Sequence, residues 1–158
     1  MSESEIETIW LDLPASHKYL NVLTACLEAT LERVLEPASQ PAVIAQQDGA
    51  GGLPDSARLC GDIALAAHEV CVNIIDHAYA DQSGGRIQIR LILEQVVRRL
   101  VIEICDVGQS FDPALVPEPD FEQGQIHGYG LFLVHQLMDE VAYESQPGRN
   151  FWRLVKSY

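Results

Sequence analysis

The sequence predicts a single α/β domain, an α+β two-layer sandwich in which a mixed β-sheet carries helices on one face. Two observations lead to this prediction. Hydrophobic periodicity gives the order strand, helix, helix, strand, strand, helix, strand, strand, with no internal repeat. A length of 158 residues is sufficient for one domain with a real core, and short for two. We therefore expect residues 1–158 to form one domain.

The first strand is predicted from Ile6 to Leu13, because apolar and polar residues alternate there before Pro14. Ser16 is a suitable N-cap for a helix that ends near Leu35, and its apolar face repeats every three or four residues: Leu20, Leu23, Leu27, Leu31 and Val34. Prolines, glycines and small polar residues then predict a flexible loop insertion over about residues 36–57.

The second helix is predicted from about Leu59 to Tyr79. Its apolar face comprises Leu59, Ile63, Ala66, Ala67, Val70 and Ile74. The alternating segment Arg86 to Leu93 and the more apolar segment Leu100 to Cys105 predict two strands. We expect the chain to reverse between them, within Glu94 to Arg98.

The C-terminal part begins with an irregular segment, Asp106 to His127, which has no hydrophobic period. A third helix is predicted from near Gly128, with Leu131, Val134, Leu137 and Met138 as its buried side. Two closing strands, 141–144 and 151–155, are expected on either side of a turn at 147–150.

Charge and composition exclude several partners. The chain has 23 acidic and 10 basic residues other than histidine, a formal net charge of -13, so nucleic acid and anionic membranes are unfavourable partners. It contains no apolar run near the roughly 20 residues that cross a bilayer, and MSESEIET lacks the features of a secretory signal. We expect a cytoplasmic protein, whose four separate cysteines are buried thiols.

Glu69 and Asn73 form the first candidate functional pair, one helical turn apart on the flank of the apolar face. An amide oxygen at Asn73 could bind a hard cation such as Mg²⁺, and Glu69 could accept a proton from an attacking hydroxyl. Taken alone, the pair is also explained by two incidental polar residues on a helix flank.

Asp106 and Gly108 form the second candidate pair, at the end of a buried strand and followed by Phe111-Asp112-Pro113. A carboxylate there can accept a hydrogen bond from an exocyclic amine such as that of adenine, and a glycine lets the backbone approach closely. An ordinary turn after a strand would contain the same residue types.

Gly128-Tyr129-Gly130-Leu131 opens the third predicted helix. Free N–H groups and the positive end of the helix dipole at such a start are suited to phosphate. A loop that only needs flexible residues would also explain the glycines.

Taken together, HEVCVNIIDHAY, DVGQSFDP and HGYGLFLVHQLMDEVAYE resemble the Bergerat-fold (GHKL) ATP-binding superfamily, which includes gyrase, Hsp90-type chaperones, histidine kinases and MutL. Within it, they are most similar to the anti-sigma-factor serine/threonine kinases. The resemblance extends over nearly the whole chain, to the closing GRNFWRLVK.

The resemblance implies an ATP site that uses Mg²⁺. By this likeness Glu69 is the general base, Asn73 the Mg²⁺ ligand and Asp106 the acceptor for the adenine amine, with Gly108 giving it room. The phosphates would contact Gly128, Gly130 and the neighbouring amides of Tyr129 and Leu131. Asn150 matches a position close to the adenine.

Residues 107–127 correspond by this resemblance to the lid over the nucleotide. This segment contains no Lys or Arg, whereas relatives often place a basic residue just before the glycine box that opens the third helix, where this sequence has Ile126 and His127. We hypothesise that His127 compensates, or that transfer is slow or uses an arginine from elsewhere.

The implied function is a kinase that phosphorylates an anti-sigma-factor antagonist and sequesters a sigma factor or similar regulator. The alternative is a nucleotide-responsive protein-binding module with weak or no catalysis. A histidine kinase fits less well, because the chain has no room for a separate dimerisation and phosphoacceptor domain, and a detached catalytic domain is the form of it that stays open. The same resemblance is compatible with a homodimer through the sheet edge near the first strand.

Overall fold

The computed structural model describes residues 6–35, 55–80, 82–112 and 128–158. Its centre is a five-stranded sheet in the order β1-β2-β3-β5-β4. The strands are β1 (Ile6–Pro14), β2 (Arg86–Glu94), β3 (Arg99–Asp106), β4 (Glu140–Gln146) and β5 (Arg149–Ser157). All five were predicted, and β4 and β5 are longer than the sequence indicated.

Neighbouring strands are antiparallel throughout this sheet, which differs from the mixed pairing that we expected. Strands β3 and β4 do run in the same direction, since each is antiparallel to β5. They are not neighbours, because β5 lies between them. The connection from β3 to β4 therefore produces no parallel pair of neighbouring strands. The predicted α/β class and the packing of the helices on one face of the sheet are confirmed.

Three helices pack on one face of the sheet: α1 (Leu20–Leu35), α2 (Asp55–Asn73) and α3 (Tyr129–Leu137). Because α2 begins at Asp55, residues 55–57 are helical and not part of a loop. The remainder of the predicted insertion, residues 36–54, lies outside the described residues. None of the helices in the described ranges is long and apolar enough to span a membrane.

The hydrophobic core lies between the helices and the sheet. The alternation predicted for β2 is confirmed, because Ile87, Ile89, Leu91 and Leu93 are all buried against the helices. On α2 the predicted apolar face is buried too, with Leu59 partly covered. Polar residues at the edge of this core are thereby held in fixed positions at the end of the sheet.

Two tight turns set the register of the hairpins. Residues 95–98 join β2 to β3, with Arg98 at a φ of 52°, and residues 147–148 join β4 to β5, with Gly148 at a φ of 76°. The second turn is shorter than the predicted 147–150, because two residues suffice when one adopts a left-handed conformation. Asn150 is consequently a strand residue, directly opposite Asp106.

The four cysteines are free thiols, but only Cys60 and Cys71 are buried. Cys26 and Cys105 are half-exposed, so the expectation of four buried thiols was wrong for these two. In a strand, successive side chains point to opposite faces. Cys105 lies between Ile104 and Asp106, which both face the helices, so its own side chain faces the side of the sheet without helices.

Candidate functional site

Asp106 and Asn150 meet at the end of the sheet, on the face covered by helices. The two residues are register partners on β3 and β5, and they are 3% and 1% exposed. Asn150 Nδ2 donates a hydrogen bond of 2.8 Å to Asp106 Oδ1. The backbone N–H of Gly108 donates another, of 2.9 Å, to the same oxygen. Asp106 is therefore held in one orientation by two donors.

The second carboxylate oxygen of Asp106, Oδ2, accepts no hydrogen bond from a described residue. Burial raises the pKa of Asp106, and the hydrogen bonds from Asn150 and Gly108 oppose that change. A buried carboxylate oxygen that has no donor among the described residues is well placed to accept a hydrogen bond from a ligand N–H.

Gly108 gives the close backbone approach that its position in the sequence predicts. A Cβ built on Gly108 would lie 2.5 Å from the carbonyl oxygen of Ala78, so a larger residue cannot fit without moving backbone. The neighbouring N–H of Gln109 donates a hydrogen bond of 2.9 Å to that same oxygen. The loop that follows Asp106 is thus fixed against the end of the second helix.

A π-helical segment, Ile74–Ala78, follows α2 and places Ala78 beside the loop that contains Gly108. The sequence predicted one regular helix to Tyr79, whereas α2 ends at Asn73 and the chain widens into this segment. The N–H of Tyr79 donates to the Ile74 oxygen, five residues earlier, at 3.2 Å. Such widened turns occur often at functional sites, and the apolar pattern of the segment does not distinguish them from an ordinary helix.

Tyr79 is a structural support of the site that the sequence did not single out. Its hydroxyl donates to the Arg86 oxygen at 2.9 Å and accepts from the Val107 N–H at 3.0 Å. Its ring fills the space beside Gly85, where a Cβ would lie 2.6 Å from ring carbons. Tyr79 therefore fixes the backbone immediately after Asp106.

Asn150 is the centre of a wider network that sequence reasoning also missed. Its Oδ1 lies 2.6 Å from the Ser110 hydroxyl and 3.2 Å from the Tyr143 hydroxyl. Its Nδ2 also contacts the carbonyl oxygens of Gly108, at 3.1 Å, and Gln109, at 3.4 Å. Ser110 and Tyr143 are distant in the sequence, so no local pattern could connect them with Asn150.

Glu69 and Asn73 are both half-buried on α2, on the flank that the sequence predicts. Glu69 forms no hydrogen bond or ion pair with any described residue, and its carboxylate lies directly against Gly130. A Cβ built on Gly130 would be 2.6 Å from Glu69 Oε2. Asn73 Nδ2 is buried without a hydrogen-bond partner in the described part of the chain. Both side chains thus have unused hydrogen-bonding capacity.

The start of α3 follows the predicted glycine pattern. Gly128 is the N-cap and has a φ of 98°, a left-handed conformation that favours glycine. Tyr129, Gly130 and Leu131 form the first turn, and Leu131 packs against the core. Within the described part of the chain, no side chain caps this helix start. His127, the proposed compensating residue, lies outside the described residues, as do residues 113–126 of the predicted lid.

The candidate residues form two groups, both adjacent to the second helix and its π-helical end. The strand group comprises Asp106, Gly108 and Asn150, and it contacts Ala78. The helix group comprises Glu69, Asn73 and the α3 start, Gly128 to Leu131, joined by the contact of Glu69 with Gly130. The described residues hold no cluster of three or more His, Cys, Asp or Glu suited to a metal ion.

Comparison with known proteins assigns the chain to a family of ATPase domains. The family described as histidine kinase-like ATPase domain matches residues 14–156. The chain is 33% identical over 96 residues to the serine-protein kinase RsbW of Bacillus velezensis, a match covering 55% of this chain and 58% of that protein. It is 32% identical over 104 residues to the serine/threonine-protein kinase BtrW of Bordetella bronchiseptica, covering 63% of this chain and 72% of that protein.

A solved structure supports the fold. The crystal structure of the RsbU and RsbW domains of a Mycobacterium tuberculosis protein matches with a TM-score of 0.62 and 17% identity, over 96% of this chain and 32% of that one. The chain spans 58% of the RsbW relative, so these likenesses describe a domain and not a whole protein's activity. On the family match and the relatives together, the chain belongs to the histidine kinase-like ATPase domain family.

Proposed function

We propose that this protein binds ATP between the strand group and the helix group. Membership of the histidine kinase-like ATPase domain family supports ATP as the ligand. The described residues suit it as well: among them, Asp106 Oδ2 has no hydrogen-bond donor, Asn73 Nδ2 is buried without a partner, and no side chain caps the α3 start. Each of these unused groups matches a different part of an adenine nucleotide.

The strand group would bind the base. Asp106 Oδ2 would accept a hydrogen bond from the exocyclic amine of adenine, which the 6-oxo group of guanine cannot donate. Gly108 would keep the loop after Asp106 packed against the π-helical segment, because any side chain there meets the Ala78 backbone. Asn150 would hold Asp106 in place through the hydrogen bond to Oδ1.

The helix group would bind the phosphates and supply the general base for phosphoryl transfer. The N–H groups at Gly128 to Leu131 and the dipole of α3 would favour phosphate at the helix start. Asn73 would be a ligand of Mg²⁺, which when bound neutralises phosphate charge. The described residues offer no group of three or more His, Cys, Asp or Glu for a metal ion. The cation would therefore be held by Asn73 together with phosphate oxygens of the nucleotide. Glu69 would accept the proton of the attacking hydroxyl.

The activity we propose is serine/threonine phosphorylation of an anti-sigma-factor antagonist, together with sequestration of a sigma factor or similar regulator, in the cytoplasm. The relatives are named serine-protein and serine/threonine-protein kinases, which supports the transfer reaction. The observation that carries the proposal is the position of the Glu69 carboxylate against Gly130. In that position the Glu69 carboxylate, as general base, is next to the start of α3, where phosphate would bind.

A second candidate function is a nucleotide-responsive protein-binding module. One observation favours it: residues 107–127 contain no Lys or Arg to stabilise charge on the transferred phosphoryl group. In such a module, nucleotide binding would be retained and catalysis lost.

Incubation with γ-labelled ATP, Mg²⁺ and a candidate antagonist protein separates the two functions. A kinase transfers label to a serine or threonine of the antagonist, and an antagonist with that residue replaced by alanine remains unlabelled. Tight ATP binding without label on any candidate would favour the module. Absence of ATP binding by the intact chain would contradict both.

A further inference from the structure

The orientation of the Asn150 amide is fixed by its surroundings. Every group near Nδ2 is an acceptor: Asp106 Oδ1 and the carbonyl oxygens of Gly108 and Gln109. The groups near Oδ1 are the hydroxyls of Ser110 and Tyr143, which can donate. Rotating the amide by 180° would place its oxygen against three acceptors, so only one orientation satisfies the network.

The Tyr143 hydroxyl connects this amide to the loop after β3. It accepts a hydrogen bond of 3.3 Å from the Phe111 N–H, so its own proton is available to donate to Asn150 Oδ1. The Tyr143 ring packs against Phe111 and Trp152, with centroid distances of 4.9 Å and 4.6 Å, and so the hydroxyl has little freedom to move. The donor sequence is Phe111 to Tyr143, Tyr143 to Asn150, and Asn150 to Asp106.

We propose that Tyr143 and Ser110 are positioning residues for adenine: acting through Asn150, they hold Asp106 so that its Oδ2 atom selects a purine with a 6-amino group. Neither residue needs to touch the nucleotide. This inference rests on the proposed ATP site, and it assigns selectivity to two residues outside the strand and helix groups.

The physical basis is the accurate placement of one oxygen. If Asn150 loses one of the two donors at Oδ1, its amide keeps the same orientation but is held less firmly, and the hydrogen bond from Nδ2 to Asp106 weakens. One of the two donors that fix the Asp106 carboxylate would then hold it less firmly, and the direction of Oδ2 would be less well fixed. Contacts to the ribose and phosphates, which Asp106 does not make, would be unaffected.

The test compares ATP with purine riboside triphosphate, which has hydrogen in place of the 6-amino group, by calorimetric titration with Mg²⁺ present. In Tyr143→Phe, which keeps the ring, we expect ATP affinity to fall about threefold to tenfold, the usual value of one hydrogen bond. Affinity for purine riboside triphosphate should stay within about twofold, so the ratio of the two affinities decreases. Ser110→Ala should change the ratio in the same direction.

Two further variants make the test specific. Tyr19→Phe removes a phenol hydroxyl from the short helical turn His17–Tyr19, and that hydroxyl is not a hydrogen-bond partner of Asn150, so the ratio should stay unchanged. In an Asn150→Ala background, Tyr143→Phe should cause no additional change in the ratio, because the two substitutions interrupt the same route to Asp106.

Three outcomes would overturn the inference: an unchanged ratio in Tyr143→Phe, equal losses for both nucleotides, or a full additional effect in the Asn150→Ala background. Thermal unfolding of each variant checks that the fold is intact. Binding of neither nucleotide by the wild-type chain would instead contradict the proposed ATP site itself, so the two failures are distinguishable.

Discussion

The strand group and the helix group differ in how completely their polar atoms are paired. Asp106 and Asn150 are almost fully buried and share hydrogen bonds with each other and with the Gly108 backbone. Glu69 has no hydrogen bond to a described residue, and Asn73 has a buried amide nitrogen without a partner in the same part of the chain. The strand group is therefore organised before any ligand binds, whereas the helix group has polar atoms left for a ligand to pair.

The difference follows from the elements that carry each group. Register between β3 and β5 places Asn150 beside Asp106, and the short turn before β5 fixes that register. The helix group joins side chains from α2 to the start of α3, which follows residues outside the described part. Substitutions in the two groups should have different consequences, on stability in the first and on catalysis in the second.

The largest expected effect is on phosphoryl transfer in Glu69→Gln. Loss of a general base should lower the transfer rate by about 10²–10⁴-fold, with ATP affinity within about twofold of wild type. Rates from γ-labelled ATP and calorimetric titrations provide the two measurements. Glu28→Gln, an exposed substitution on α1, is the matched control and should alter neither. A rate in Glu69→Gln equal to that of wild type would remove Glu69 from the mechanism.

Two alanine substitutions compare the groups by stability. Asn150→Ala should lower the free energy of unfolding by about 1–3 kcal/mol, because it leaves buried partners unpaired. Asn73→Ala removes a nitrogen that has no partner among the described residues, and we expect a change within about 0.5 kcal/mol. Urea unfolding measures both. Similar losses in the two variants would show that the helix group is as fully paired as the strand group.

The contact between Gly130 and Glu69 can be tested by adding one methyl group. In Gly130→Ala the new Cβ must displace the Glu69 carboxylate, which can move without moving the backbone. We expect the transfer rate to fall about tenfold while stability changes little. Gly61→Ala in α2 meets no atom within 4 Å, so it should keep the wild-type rate. Equal rates in Gly130→Ala and wild type would mean that the position of Glu69 is not critical.

The smallest expected effect is a pH dependence of stability from Asp106. Burial raises its pKa, so between the unfolded and folded pKa values the folded state binds more protons and stability falls as pH rises. Asp106→Asn lacks this ionisation. The stability of the variant relative to wild type should therefore increase from about pH 4 to neutral pH, as measured by urea unfolding. A difference that decreases over this range would reverse the assigned sign.

Sequence patterns were sufficient for the helices, the strands and most site positions, because hydrophobic periodicity and glycine placement are local properties. They located Glu69 and Asn73 on the flank of α2, and the start of α3 near Gly128. The π-helical segment was missed, because its residues also suit an ordinary helix. The networks of Tyr79 and Tyr143 were missed too, since they join residues that only the fold brings together. The role assigned to His127 stays a prediction.

Equilibrium binding of ATP with Mg²⁺ to wild type and Asp106→Asn tests the central claim most directly. In the variant, the oxygen of the new amide would accept the donors from Gly108 and Asn150, so its NH₂ group would face the adenine amine. The NH₂ group of the variant and the adenine amine, both donors, would then face each other without an acceptor. The affinity for ATP should therefore fall by about 100-fold while the fold is retained. We expect this loss together with wild-type affinity in Glu69→Gln. Unchanged ATP affinity in Asp106→Asn would contradict it.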